Sequence, residues 1–365
     1  MRLYPRASSL VHVFVEDRQS GTPLAPWHEC RQVAITSPIH VSRSERVQSG
    51  SESTGRSTNT PCPSVAIVML HWGPEEMTKR CLQSLGRIAY PAASVILIDN
   101  ADTLSPSVTG WAHPLPLDLV RPGRNLGFAE GCAVGMSIAL ERGADYVLLL
   151  NNDVVVDPPF LDCLVAAARA CPEAGLICPQ IEFLEDRGHV WFGGGDCSLW
   201  SGIPRHAHWR KPATRDHAPR ESDFATGCAM LVDPSVIRTV GVFDPRFFAY
   251  GEDLDLSLRA RQARFGIMVV PASVIWHVSV YDEHRARLRL YYSTRNLLEV
   301  MRKHARWIQW VSFMPNFLIF WVGFHVALAV ARRQPRLVGA LALGVVDFIR
   351  RRFGERRFAH GSEAR

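Results

Sequence analysis

No Cys-x-x-Cys pair occurs among the nine cysteines of this 365-residue chain, and nine is an odd number. That excludes a zinc ribbon and argues against a paired disulfide framework. Most of the cysteines sit in apolar runs, where a free thiol behaves as a small hydrophobe, so a reducing cytoplasm is expected. The body of the chain also lacks a basic surplus. The net charge is +6, and residues 332–365, with nine Arg against three acids, carry all of it. The rest balances at zero, which excludes the broad electrostatic footprint of a nucleic-acid binder. No apolar core of adequate length follows the first arginines, so no secretory signal is expected. With 47% hydrophobic and 21% charged residues, the chain is neither collagen-like nor wholly disordered.

Periodicity is missing from the first stretch as well. Ser42–Ser64 is rich in Ser, Thr, Gly and Arg, and residues 1–63 read as a disordered leader. From Val65 the pattern changes. Val65–Leu70, Val95–Ile98, Leu117–Val120 and Tyr146–Leu150 are short apolar runs, as strands covered on both faces would be. Glu75–Leu85, Phe128–Glu141 and Phe160–Ala170 carry helical patterns between and after them. The alternation predicts a three-layer α/β/α sandwich with a mostly parallel central sheet. Residues 183–222 read as loop-rich, Ala225–Val232 as a further strand and Gly251–Gln262 as a helix that begins with acids. The expected organisation is a leader (1–63), an α/β domain (64–300) and C-terminal apolar and basic helices with a tail (301–365).

Such sheets bind ligands beyond the carboxyl ends of their strands. His71, Asp99, Asn152 and Asp153 fall at those ends. Asn151-Asn152-Asp153 suits a divalent cation on a diphosphate, or simply a turn, which Asn and Asp favour. In Tyr250-Gly251-Glu252-Asp253-Leu254-Asp255, Asp253 reads either as a helix cap or as a general base at a pocket edge. Asp255 and Arg259 have the spacing of an ordinary helix ion pair. His277 reads as a satisfied core histidine or as a metal ligand.

Taken together and in order, these segments resemble family 2 glycosyltransferases, inverting enzymes with a GT-A fold, and within them the rhamnosyltransferase-like branch. The matching pieces are Val65–His71, Ile98-Asp99-Asn100, Arg124–Gly131, Leu149–Asp153, Ala225–Leu231, Gly241–Arg259, Val270–His277 and the segment Tyr291-Tyr292-Ser293-Thr294-Arg295-Asn296. The resemblance implies that Asp99 contacts the nucleoside, that Asn125 and Gly127 line the base pocket, and that His71, Asn152 and Glu252 belong to the nucleotide-sugar pocket. It implies Asp153 and His277 as holders of Mg²⁺ or Mn²⁺ and Asp253 as the catalytic base. Asn151 stands where the family's first metal-binding Asp would be, leaving one carboxylate. Trp191 and Tyr250 could stack on sugar rings or be core. The implied partners are a nucleotide-diphosphate sugar donor, dTDP-rhamnose among the candidates, and a glycan or lipid-linked acceptor.

Three rivals remain. A processive polysaccharide synthase would carry Gln-x-x-Arg-Trp, where this chain has Lys303-His304-Ala305-Arg306-Trp307. A nucleotidyltransferase would need a basic Gly-rich loop after the first strand, and here that place is acidic. An inactive membrane-attached sugar-nucleotide-binding protein would not need Asp153, Asp253 and His277. Trp310–Ala331 holds 22 residues without Asp, Glu, Lys or Arg, about 33 Å of helix. Arginine clusters follow it, so attachment to the cytoplasmic face of the inner membrane is expected. Pro315, Asn316 and His325 favour an in-plane or re-entrant arrangement over a full crossing.

Overall fold

A computed structural model describes residues 62–112, 114–214, 218–279, 283–356 and 358. The expected leader therefore lies almost wholly outside the described residues. The chain then runs β1 (Val65–His71), α1 (Glu75–Leu85), β2 (Ala93–Asp99), β3 (Leu117–Val120), α2 (Gly127–Glu141), β4 (Tyr146–Asn151), β5 (Val154–Val156) and α3 (Phe160–Ala170). It continues with β6 (Ala174–Phe183), β7 (Val190–Phe192), β8 (Gly195–Asp196), β9 (Arg205–His206), β10 (Arg220–Glu221), β11 (Ala229–Val232), α4 (Pro234–Val240), α5 (Glu252–Gln262) and β12 (Gly266–His277). Four helices close it: α6 (Glu283–His304), α7 (Trp307–Asn316), α8 (Phe324–Ala331) and α9 (Pro335–Ile349).

β1 is buried along its whole length, which is why it reads as an unbroken apolar run. It pairs in parallel with β2 on one side and β4 on the other, and β3 extends the parallel set beyond β2. The sheet order is β10-β12-β6-β11-β4-β1-β2-β3. β11 runs antiparallel to both neighbours, while β6 and β12 pair in parallel beyond it. The β4-β1-β2-β3 half is thus all parallel, and one reversed strand joins it to the second half. Gly131 and Gly135 of α2 let that helix lie close on β1. A Cβ at either would fall 2.2–2.3 Å from Leu70 or Val68, two residues on one sheet face.

Two elements depart from the sequence reading for definable reasons. β11 begins at Ala229 rather than Ala225 because side chains of α5 take the amides before it. Ala225 N–H donates to Ser257 and Gly227 N–H to Asp253. β12 runs unbroken through Pro271, and the β6–β12 register shifts between Val270 and Val274. A bulge there accommodates a residue that has no N–H to give the ladder. The loop-rich reading of 183–222 holds, with only short strands in it.

Candidate active site

The β5–β12 ladder sets His277 opposite Val154, so the residue before β5, Asp153, is brought to the end of β12. Its Oδ1 lies 3.5 Å from His277 Nε2. That oxygen is buried without a hydrogen-bond partner, as are His277 Nδ1 and Asn151 Oδ1. Burial works to raise the Asp153 carboxyl, but His277, the residue's own amide and Arg285 together outweigh it and the group sits below the ordinary Asp range. Orphaned buried acceptors of this kind call for a ligand. A carboxylate, an imidazole and an amide oxygen make a donor set that suits Mn²⁺ or Mg²⁺ when diphosphate oxygens complete the shell. Among the described residues no cluster of three or more His, Cys, Asp or Glu is placed to hold a metal ion.

The turn before β11 connects this group to the acids of α5. Gly227 N–H donates to Asp253 Oδ2 at 3.0 Å, and the next residue, Cys228, accepts from Asn151 N–H at 2.9 Å. Two successive residues therefore fasten both carboxylate-bearing segments. Asp253 Oδ1 also accepts from Leu254 N–H at 2.8 Å. Burial pushes the Asp253 carboxyl above its usual range, and the Gly227 and Leu254 amides offset part of that. Glu252 is 4% exposed with Oε2 unpartnered. Burial, aided by repulsion from Asp253 and Asp255, holds it well above the usual Glu range. Three acids at the helix start also face a favourable dipole.

Tyr250 and Phe248 just before α5 adopt left-handed backbone, φ 66° and 63°, and Gly251 follows at 91°. Left-handed non-glycine residues cost on the order of 1–3 kcal/mol each and persist only when their surroundings enforce them. Tyr250 remains 43% exposed, open to a ligand. Trp191 is half-buried, with its ring 4.5 Å from that of His277, and it also meets His206 edge-on. Burial brings His206 down to about 4, so that ring carries no charge at neutral pH.

Of the residues expected to face the nucleotide sugar, His71 and Asp99 lie at the ends of β1 and β2. Asp99 is buried, accepts from the Thr103 and Leu104 amides and lies 3.4 Å from Arg121 Nε. His71 is wedged between Thr78 and Thr103 hydroxyls at 2.7 and 3.0 Å, and burial lowers its pKa against the pull of Asp99 and Glu75. Asn152 donates to Thr78 Oγ1 and to the Trp72 carbonyl. Asn125 accepts from Asn100 and from Gly127 N–H, and donates to Glu355. Its polar groups are committed to shaping the loop, and a cavity of about 300 Å³ lies between that loop and Gly354-Glu355. His71 and Asn152 likewise act as braces. Asp255 stands apart: it binds Arg259, Lys303 and His304 at 2.9, 2.6 and 2.8 Å, fastening α6 to α5. Lys303 and His304 are thereby spent on an internal anchor. Sequence reading assigned no role to Gly227-Cys228 or to Arg295-Asn296. The first pair showed only as part of the run Ala225–Leu231, the second as the end of the segment Tyr291–Asn296.

The chain matches the model named glycosyltransferase like family 2 over residues 63–309. An N-acetylglucosaminyl-diphospho-decaprenol L-rhamnosyltransferase of Mycobacterium tuberculosis (strain ATCC 25618 / H37Rv) is 29% identical over 243 residues, covering 60% of this chain and 77% of that protein. Among solved structures, GalNAc-T7 with UDP, GalNAc and Mn²⁺ superposes at a TM-score of 0.53 with 16% identity, covering 67% of this chain and 48% of that one. Residues 1–349 of Staphylococcus aureus TarS superpose at 0.51 with 13% identity, covering 79% and 82%. These structures establish a shared GT-A fold. With more than half of its length matched by the family model, the chain belongs to the family 2 glycosyltransferases.

Proposed function

We propose that this glycosyltransferase moves one sugar, with inversion, from a nucleotide-diphosphate sugar to a hydroxyl of a cell-surface glycan or lipid-linked acceptor. The observation that carries this reading is the Gly227-Cys228 turn, which holds Asp253 and the Asn151–Asp153 segment side by side. Asp253 takes the proton of the acceptor hydroxyl as its oxygen attacks the anomeric carbon. The bond to the diphosphate breaks on the opposite face, and the leaving group keeps the electron pair. A carboxyl raised by burial is a better base than an ordinary one. Asp153 and His277 would hold a divalent cation, which when bound neutralises charge on the leaving diphosphate. The tuberculosis relative's name supports rhamnose and a polyprenyl-linked acceptor as the first pair to test.

The inner membrane's cytoplasmic face is the proposed working place. Trp307–Ala331 is long and apolar enough to cross a membrane by length and composition, with 17% of its apolar window buried. One side of it packs on the protein, where Trp321 Nε1 donates to Thr294 at 3.0 Å. That side contact supports an in-plane attachment.

Full-length protein screened for hydrolysis of nucleotide sugars, with and without Mn²⁺, tests the activity. dTDP-rhamnose with Mn²⁺ is expected to turn over slowly. Asp253→Asn should lose about 10²–10⁴-fold in turnover while calorimetric donor binding persists. Near-normal turnover in that variant would remove Asp253 as the base and leave Glu252 to be tested.

A further inference from the structure

Arg295 and Asn296 are adjacent on α6, both buried, and both send their donors into one loop. Arg295 Nη2 donates to the carbonyls of Arg246 at 3.3 Å and Phe247 at 2.8 Å, and Nη1 donates to Gly354 at 3.0 Å. Asn296 Nδ2 points at the carbonyls of Phe247, Ala249 and Tyr250, at 2.9, 2.8 and 2.6 Å. Arg295 Nε donates to Asn296 Oδ1 at 2.9 Å, which fixes the amide with its nitrogen toward the loop. The loop they grip contains the left-handed Phe248 and Tyr250 and leads within three residues to Glu252 and Asp253. From its other side, the Phe248 carbonyl accepts the Phe128 and Ala129 amides at the start of α2. Neither Arg295 nor Asn296 is spent on an acid of the site.

We propose that Arg295 and Asn296 are positioning residues for sugar transfer. They hold the carbonyls of residues 246–250 in the strained turn that sets Asp253 against the acceptor, without touching substrate. The proposal rests on Asp253 being the base. A backbone unwilling to adopt positive φ needs outside partners to stay there. Asn296, with one amide nitrogen facing three carbonyls, supplies more of that hold than any other single side chain described. Misplacement of a reacting group by about 1 Å costs on the order of 10²-fold in rate.

The test uses the full-length chain with dTDP-rhamnose and Mn²⁺, or the nucleotide sugar that the screen selects. Asn296→Ala is expected to lower kcat about 10²-fold with the donor Kd unchanged within about twofold. Asn296→Asp, which replaces the donating nitrogen with an acceptor, should do the same. Once the loop loosens, water reaches Asp253, so the acid limb of the kcat profile should move to lower pH. Leu298→Ala, in a separate apolar cluster of the same helix, is the control: it should lower Tm and keep kcat. Amide hydrogen exchange should show residues 246–251 deprotected in Asn296→Ala while β1 and β4 keep their protection. The proposal is overturned if kcat holds, if the pH profile stays in place, or if protection falls evenly across the molecule. If the wild type hydrolyses no nucleotide sugar, the transferase reading fails with it. Loop exchange then still decides whether Asn296 anchors the turn, and unchanged protection overturns that part independently.

Discussion

The acids of Glu252-Asp253-Leu254-Asp255 do three different things within one helical turn. Asp255 is an anchor for Arg259, Lys303 and His304. Asp253 is oriented by the Gly227 and Leu254 amides. Glu252 has an unpartnered oxygen and a pKa raised first by burial. Helical spacing already separates Asp253 from Asp255, but only their surroundings assign the jobs. Glu252 carries a pH prediction. Its folded pKa exceeds its unfolded one, so the native state binds more protons, and stability falls as pH rises between the two values. Glu252→Gln removes that slope, about 1.4 kcal/mol per pH unit at most for one proton. Urea unfolding at pH 5, 7 and 9 should show the variant gaining on the wild type as pH rises. A gap that stays constant with pH would mean that Glu252 ionises normally.

At the scale of elements, the start of α2 and the loop before α5 depend on one glycine. Gly127 has φ +73°, and a Cβ there would lie 2.5 Å from the Phe248 ring and 2.6 Å from its carbonyl. That carbonyl caps α2 by accepting two of its amides. Gly127→Ala combines a left-handed penalty of about 1–2 kcal/mol with overpacking of about 1–3 kcal/mol. Gly123 has nearly the same φ, +72°, with nothing within 4 Å of an added Cβ. Gly123→Ala should therefore cost the first part alone. Denaturant unfolding of the two variants separates strain from clash, and equal losses would show that the Phe248 contact is not tight. The same region shows what a hydrophobic pattern misses. Ala225–Val232 looks like one strand, yet its first four residues turn because Ser257 and Asp253 claim their amides. Pro271 hides β12 in the same way, since the bulge that absorbs it depends on β6.

Across the whole molecule, the C-terminal helices are part of the catalytic body's architecture as well as its proposed membrane contact. Gly344 of α9 sits so close to α6 that an added Cβ would lie 2.8 Å from the Tyr291 carbonyl, and Asp347 accepts from Tyr291 Oη at 2.8 Å. Cutting the chain near Lys303 would strip α6 of those partners, so solubility after truncation would not isolate membrane attachment. The outward face of the 307–331 segment is the better target. Ile319 and Phe320 are 64% and 61% exposed. The Ile319→Asp, Phe320→Asp double variant should keep the fold and move from the membrane pellet to the supernatant. Wild type found in the supernatant at low salt would overturn the attachment. The break in helix geometry at Phe317–Gly323, a π-helical stretch just after Pro315, follows from a residue without an N–H inside a helix.

The parallel strands and their helices were legible in the sequence because burial on both faces writes an unbroken apolar run, and three of the four parallel runs end in polar residues. His71, Asp99, Asn152 and Asp153 were singled out that way as candidates, and the motif order pointed to the family. The Asp255–Arg259 pair was legible because helix spacing is local. The pairing of Asp153 with His277 rests on a β5–β12 register that sets Val154 opposite His277. The grip of Arg295 and Asn296 on the loop before α5 spans some fifty residues of chain. Contacts of that reach leave no periodic trace, because each partner alone looks like an ordinary polar residue. Only the folded chain decides which amides meet which carbonyls, and therefore which carboxylate is buried, oriented and left with a proton to exchange.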